Sequence, residues 1–212
     1  MKFKFLNAVF ASVVLSVSSI GNAALIYEQD ISNVATGHDP FTYKFAYDDF
    51  TLNANYSIDT ITVNAFANVG FSDNIGNMDW EIRSVVGSIP GSILYSGNIS
   101  AVVKTDTGLD FSGWDLVDYT IDIANINLPS GSYFLGLKAN LAENVHITLI
   151  NDPVNISQAL VANDTGYSSY WHGKDFAFRL EGVATSVPEP VSLVLFGLGL
   201  AGVRFSRKRN KV

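Results

Sequence analysis

The sequence predicts an all-β body, a two-sheet antiparallel sandwich of jelly-roll type, and three observations carry that expectation. Most of residues 25–184 divides into runs rich in β-branched and aromatic residues. Several of those runs alternate apolar and polar side chains with period two. Turn chemistry separates them, as at Gly87-Ser88-Ile89-Pro90-Gly91 and Leu128-Pro129-Ser130-Gly131. No amphipathic helical run of useful length interrupts the pattern, and many short strands bury their alternate faces by stacking two sheets.

In chain order the expected strands are 41–52 (FTYKFAYDDFTL), 57–69 (SIDTITVNAFANV), 79–86 (DWEIRSVV), 117–128 (VDYTIDIANINL), 132–141 (SYFLGLKANL), 145–150 (VHITLI) and 175–183 (DFAFRLEGV). Within 117–128, Tyr119, Ile121 and Ile123 share one face and Asp118, Thr120 and Asp122 the other. Near the end of the body, Phe176, Phe178 and Leu180 oppose Asp175, Ala177 and Arg179. The chain is 48% hydrophobic and 12% aromatic over 212 residues, enough to build a core. It has no cysteine, which excludes disulfides, thiolate metal sites and a cysteine nucleophile.

Charge divides the chain into three. Residues 1–23 hold only Lys2 and Lys4, and residues 187–212 hold five bases against Glu189. The body between them, 24–186, has 6 basic and 19 acidic residues, a net of −13. Such a body repels phosphate backbones, so no nucleic acid is expected as a partner.

The two basic ends each adjoin an apolar run. Met1 to Asn7 is followed by AVFASVVLSVSSI (8–20) and the small residues Gly21-Asn22-Ala23. That is the layout of a secretory signal peptide, residues 1–23, an N-terminal signal helix cut after Ala23 or Ala24. Its expected partners are the Sec translocon and signal peptidase. At the other end, Val187-Pro188-Glu189-Pro190 precedes VSLVLFGLGLAGV (191–203) and RFSRKRNKV. Prolines hold the backbone around Glu189 extended. As a helix the apolar run covers about 20 Å, a short transmembrane segment that needs Arg204 and its neighbours to reach the headgroups. The cluster Arg204, Arg207, Lys208 and Arg209 would stay on the cytoplasmic side, with the acidic body outside.

This tail, residues 187–212, resembles the PEP-CTERM sorting tails of Gram-negative bacteria, with Pro188, Glu189 and Pro190 as the motif itself. The resemblance implies recognition by an exosortase, a membrane-embedded cysteine transpeptidase, and processing near the Pro-Glu-Pro. It implies transient anchorage in the inner membrane, then release to the cell surface or an exopolysaccharide-rich extracellular or biofilm matrix. The body resembles domains found upstream of such tails. The shared features are Asp48-Asp49-Phe50-Thr51-Leu52, then Ile58, Ile61 and Val63, and a Pro90-Gly91 turn. They continue with Pro129, Gly131, Tyr133 and Leu135, and close with Asp175-Phe176-Ala177-Phe178-Arg179-Leu180. That likeness supports the fold more than a function.

Motifs for catalysis are missing. His38, His146 and His172 are far apart and lack metal-ligand spacing, and there is no nucleophile elbow or P-loop. The expectation is therefore a non-enzyme whose acids are solvated in turns and on outer faces. Two binding chemistries stand beside that reading. Asp106, Asp110 and Asp115 in TDTGLDFSGWD, and Asp73, Asn74, Asn77 and Asp79 in SDNIGNMDW, offer the oxygens calcium prefers, though neither matches the EF-hand spacing. Structural calcium is the one cofactor these segments suggest. Tyr170 and Trp171, within YSSYWHG, could stack on sugar rings in a lectin-like, carbohydrate-binding module, with Trp80 and Trp114 contributing. Against that, such rings usually cap a core.

Overall fold

The computed structural model describes residues 23–38, 44–67, 75–140, 145–151, 159–163, 166–168 and 173–185. The expected signal helix, the sorting tail with its apolar helix, and Tyr170, Trp171 and His172 lie outside them. Fourteen strands are described: β1 (Ala24–Gln29), β2 (Val34–His38), β3 (Ala46–Leu52), β4 (Tyr56–Ala67), β5 (Asn77–Val86), β6 (Ile89–Ile99) and β7 (Val103–Phe111). There follow β8 (Trp114–Leu128), β9 (Gly131–Asn140), β10 (Val145–Ile150), β11 (Leu160–Asn163), β12 (Gly166–Ser168), β13 (Asp175–Phe176) and β14 (Phe178–Ala184). One 3-10 turn, Ile31–Asn33, joins β1 to β2. Among the described residues no helix is long and apolar enough to cross a membrane.

The strands form two antiparallel sheets, as a sandwich requires. One runs β12-β11-β3-β9-β5-β6. In the other, β4 has β8 along one side, and β7 lies outside β8. Along its other side β4 pairs with β14 up to Val63 and with β10 from Ala65. β1 flanks β14, while β2 and β13 flank β10. The nested pairs β3–β9 and β4–β8 are those of a jelly roll, one ribbon wrapped over both layers. Inside that ribbon the path departs from the simple form, because β5 turns straight into β6 within its own sheet before the chain crosses to β7.

Alternation explains the core. β4 sends Ile61, Val63, Ala65 and Ala67 inward, and β8 sends Tyr119, Ile121 and Ile123, as their spacing predicts. From the other sheet Phe50, Leu52, Met78, Trp80, Ile82, Leu135 and Leu137 meet them. Gly182 permits a close approach of β14 to β4. A Cβ there would lie 2.0 Å from the Ser57 carbonyl oxygen, where both β4 and β14 shift register.

Three expectations need correction. β6 and β7, like β1, β2, β11 and β12, fall outside the runs named from the sequence. Both β6 and β7 are outer strands of their sheets, rich in Gly, Ser and Asp and largely exposed on both faces, so neither face demands an alternating apolar row. The turn expected over 87–91 is only Gly87-Ser88, with Gly87 at φ 66°, and Pro90 lies inside β6. Proline is tolerated there because β6 pairs on one side only. Finally, the acids are not all on wet faces: Asp48, Asp49, Glu81 and Asp175 are buried.

Candidate functional site

The acidic segment 105–115 is a hairpin and not an open loop. Ser112-Gly113 forms its tip, with both residues at positive φ, and Asp110 faces Asp115 across the ladder. Burial and a hydrogen bond shared with Asp110 raise the Asp115 carboxyl above its ordinary range, and Asp106 adds repulsion. Asp106 also accepts the Gly108 N–H at 2.8 Å in a local turn. Among the described residues no three His, Cys, Asp or Glu side chains gather as metal ligands. Of the second acidic segment, Asp73 and Asn74 lie outside the described residues, while Asn77 and Asp79 belong to β5. Asp79 accepts from Asn98 at 2.5 Å and Asn140 at 3.0 Å, and pairs with Lys138 at 2.9 Å. Burial pushes its carboxyl up, but these partners outweigh burial and hold it below the usual range.

The aromatic residues divide by position. Tyr167 stands edge-on to Tyr47 at 5.3 Å and caps the outer face of the six-stranded sheet. There the Tyr47 hydroxyl donates to Glu81, which Arg83 also binds at 2.6 Å. Gly136 leaves room for that ring, since a Cβ would sit 2.5 Å from it. Burial, then the hydrogen bond to Glu81, raises the Tyr47 phenol far above its normal value. Trp80 is a core residue packed on Gly97, which removes it from the sugar-contact set. Trp114 instead stands half-buried on the outer face of the eight-stranded sheet.

The two aspartate-bearing motifs of the body meet in space. Asp48 shares strand parity with Phe50 and Leu52, so it points between the sheets, and its Oδ2 accepts the Phe176 N–H at 2.6 Å. Its Oδ1 accepts the Asp49 N–H at 2.9 Å. Desolvation, then the nearby Asp175 charge, raises the Asp48 carboxyl well above the ordinary value. Sequence reasoning missed this pair because alternation assigns aspartate to water. The available signal was that Asp48, Phe50 and Leu52 lie on one face.

The outer face of the eight-stranded sheet holds the most built arrangement of side chains. At Asn64 the partner of β4 changes from β14 to β10, and the chain between β13 and β14 bridges the fork. Ala177 donates its N–H to Thr148 O at 2.9 Å and accepts the Asn64 N–H at 3.0 Å. A groove of about 300 Å³ opens over this fork, lined by Thr62, Asn64, Asp118, Arg179 and residues of the β1 end. Four polar side chains at the fork form one chain. Thr148 donates to Asn64 at 2.6 Å, Asn64 to Asp118 at 2.9 Å, and Arg179 pairs with Asp118 at 3.0 Å. Two residues further along β4, Phe66 begins a second depression of about 250 Å³, lined by Thr36, Phe66, Phe111, Ser112, Trp114 and His146. Trp114 and His146 stand edge-on at 5.3 Å, and Phe66 and Phe111 at 5.6 Å.

Comparison with known proteins bears on the tail. Residues 186–209 match the family model of the PEP-CTERM protein-sorting motif, which takes in Pro188, Glu189, Pro190 and the cluster Arg204, Arg207, Lys208 and Arg209. The motif implies an exosortase as partner, and with it export to the cell surface or extracellular space of a Gram-negative bacterium. No curated protein matches the chain.

Proposed function

We propose that this chain is an extracellular matrix or surface protein without chemistry of its own, delivered by a tail that serves as a provisional membrane anchor. The observation that carries the reading is the PEP-CTERM match over residues 186–209. Its physical logic lies in the order of the parts. A signal peptide at 1–23 starts export through the Sec translocon, and a short apolar run at 191–203 then stalls the chain in the inner membrane. Arg204, Arg207, Lys208 and Arg209 resist translocation and fix the orientation. Pro188 and Pro190 keep Glu189 in an extended peptide outside the lipid, the form a membrane transpeptidase can engage. The test is a host that makes the exosortase. With Pro188, Glu189 and Pro190 all changed to alanine, the protein should accumulate in the inner membrane. Normal surface delivery of that variant would refute the reading.

A second reading, a carbohydrate-binding module that holds the protein to exopolysaccharide, is favoured by one observation. The outer face of the eight-stranded sheet sets half-buried rings beside threonine, amide and carboxylate groups.

A further inference from the structure

We propose that the forked outer face of the eight-stranded sheet, from Trp114 to Arg179, is a binding groove for a neutral polysaccharide. The inference deepens the carbohydrate-binding reading and rests on it, but builds the site on Trp114 and other described residues, without Tyr170 and Trp171.

Saccharides present two surfaces, apolar C–H faces and a rim of hydroxyls, and the groove offers a counterpart to each. The aromatic end holds Trp114 and His146 edge-on at 5.3 Å, with Phe111 crossing Phe66 beside them. These rings do not belong to the inter-sheet core. Trp114 and Phe111 are cross-strand partners flanking the Ser112-Gly113 turn, so a tight hairpin fixes the platform before any ligand arrives.

The polar end begins one pleat repeat away, about 7 Å along β4 from Phe66 to Asn64. Asn64 and Thr148 are almost wholly buried, yet both are hydrogen-bonded within the chain that runs from Thr148 through Asn64 and Asp118 to Arg179. Each Asp118 oxygen takes one donor there, Asn64 on Oδ1 and Arg179 on Oδ2, which leaves acceptor capacity on both for ligand hydroxyls. Arg179, half-buried and lining the groove, also pairs through Nε with Glu181 at 3.5 Å and retains further N–H donors. Amide, carboxylate and guanidinium groups held in fixed orientation match vicinal hydroxyls better than mobile surface side chains do.

Charge selects among glycans. Among the described lining residues Glu28, Asp30 and Asp118 stand against one cation, Arg179, and the hairpin bearing the platform holds Asp106, Asp110 and Asp115 against Lys104. Polyuronates and other anionic polymers are repelled by such a surface. A neutral polymer is the occupant this chemistry fits.

Native affinity electrophoresis of the full-length chain in mild non-ionic detergent tests the proposal. The gels contain laminarin, hydroxyethylcellulose or galactomannan, with alginate as the anionic arm. At least one neutral polymer should retard the protein and alginate should not. Trp114→Ala should weaken retention about tenfold, the loss of one stacking ring. Leu109→Glu, an exposed position at the groove wall, should weaken it too without threatening the fold. Tyr95→Ala, on the opposite sheet, should leave it unchanged. No retention on any neutral polymer would overturn the carbohydrate-binding reading as a whole. Retention indifferent to both Trp114→Ala and Leu109→Glu would overturn this site alone, as would preference for alginate.

Discussion

Replacing Phe50 with alanine probes how the aspartate-bearing motif of β3 holds the sandwich together. Phe50 is fully buried and its ring meets residues of both sheets. Its centroid lies 5.7 Å from Tyr27 of β1, 6.3 Å from Phe178 of β14 and 5.6 Å from Tyr133 of β9. Truncation removes the transfer energy of the ring and leaves a cavity between layers that strand ladders prevent from collapsing. The expected loss is about 4 kcal/mol. That is a large share of the roughly 5–15 kcal/mol that keeps a domain folded. For a body of this size it lowers the melting midpoint by roughly 8–16 °C. Phe50→Leu keeps most of the apolar area and loses the ring–ring contacts, so about 1–2 kcal/mol should go. Ile93→Ser on exposed β6 should cost less than about 0.5 kcal/mol. Urea unfolding of the full-length chain, followed by tryptophan fluorescence, reads all three, with the slope against urea unchanged. A loss under about 1 kcal/mol for Phe50→Ala at unchanged slope would show that the ring does not bridge the sheets, and the described packing would be wrong.

Other expectations concern the buried polar groups. Asp48 is raised in the folded state above its ordinary value of 3.8, by burial first and then by Asp175, with Asp49 adding to the repulsion. Its contribution to stability is therefore complete below that value and fades as pH rises through the folded one. Asp79, held low, works the other way and contributes only above its folded value. The melting midpoint should rise on mild acidification from neutral pH and then fall once Asp79 protonates. Asp48→Asn should flatten the upper limb, and an unchanged limb would count against the assignment. Tyr47→Phe removes a donor to buried Glu81 and should cost about 1–3 kcal/mol in the same unfolding assay. Wild-type protein titrated by ultraviolet absorbance should keep Tyr47 protonated after the exposed phenols have ionised, and the variant should show a smaller late step, that of Tyr133 remaining. Gly182→Ala sets a Cβ against the Ser57 carbonyl and should destabilise by about 1–3 kcal/mol or more, read as a drop in urea midpoint.

The sheets were legible where strands are buried on one face and wet on the other. Tyr119, Ile121 and Ile123 point inward as their spacing requires, and β4, β5, β8, β9 and β10 fall close to their expected runs. β6 and β7 were not, because both faces of each strand are largely exposed and no inward row is required. The segment 105–111 carries its acids as one arm of a hairpin, and its pairs with β8 run from Phe111 with Trp114 at the turn to Thr105 with Asp118 thirteen positions away. Asp48 escaped because the N–H that holds its carboxylate belongs to Phe176, 128 positions along the chain. The groove was half visible. Trp114, Leu116, Asp118 and Thr120 form a period-two row in the sequence, but only the fork at Asn64 shows which strands stand beside that row. Trp80, by contrast, is one of the candidate sugar-contact rings and lies in the core.

The account depends above all on the fate of the residues after the Pro-Glu-Pro, and the intact mass of protein recovered from outside the cell measures that fate directly. The predicted species begins near Leu25 and lacks residues beyond about Pro190, while cells without the exosortase retain the longer form. Extracellular protein that still carries 191–212, or the same shortened mass in cells without the enzyme, would contradict the account.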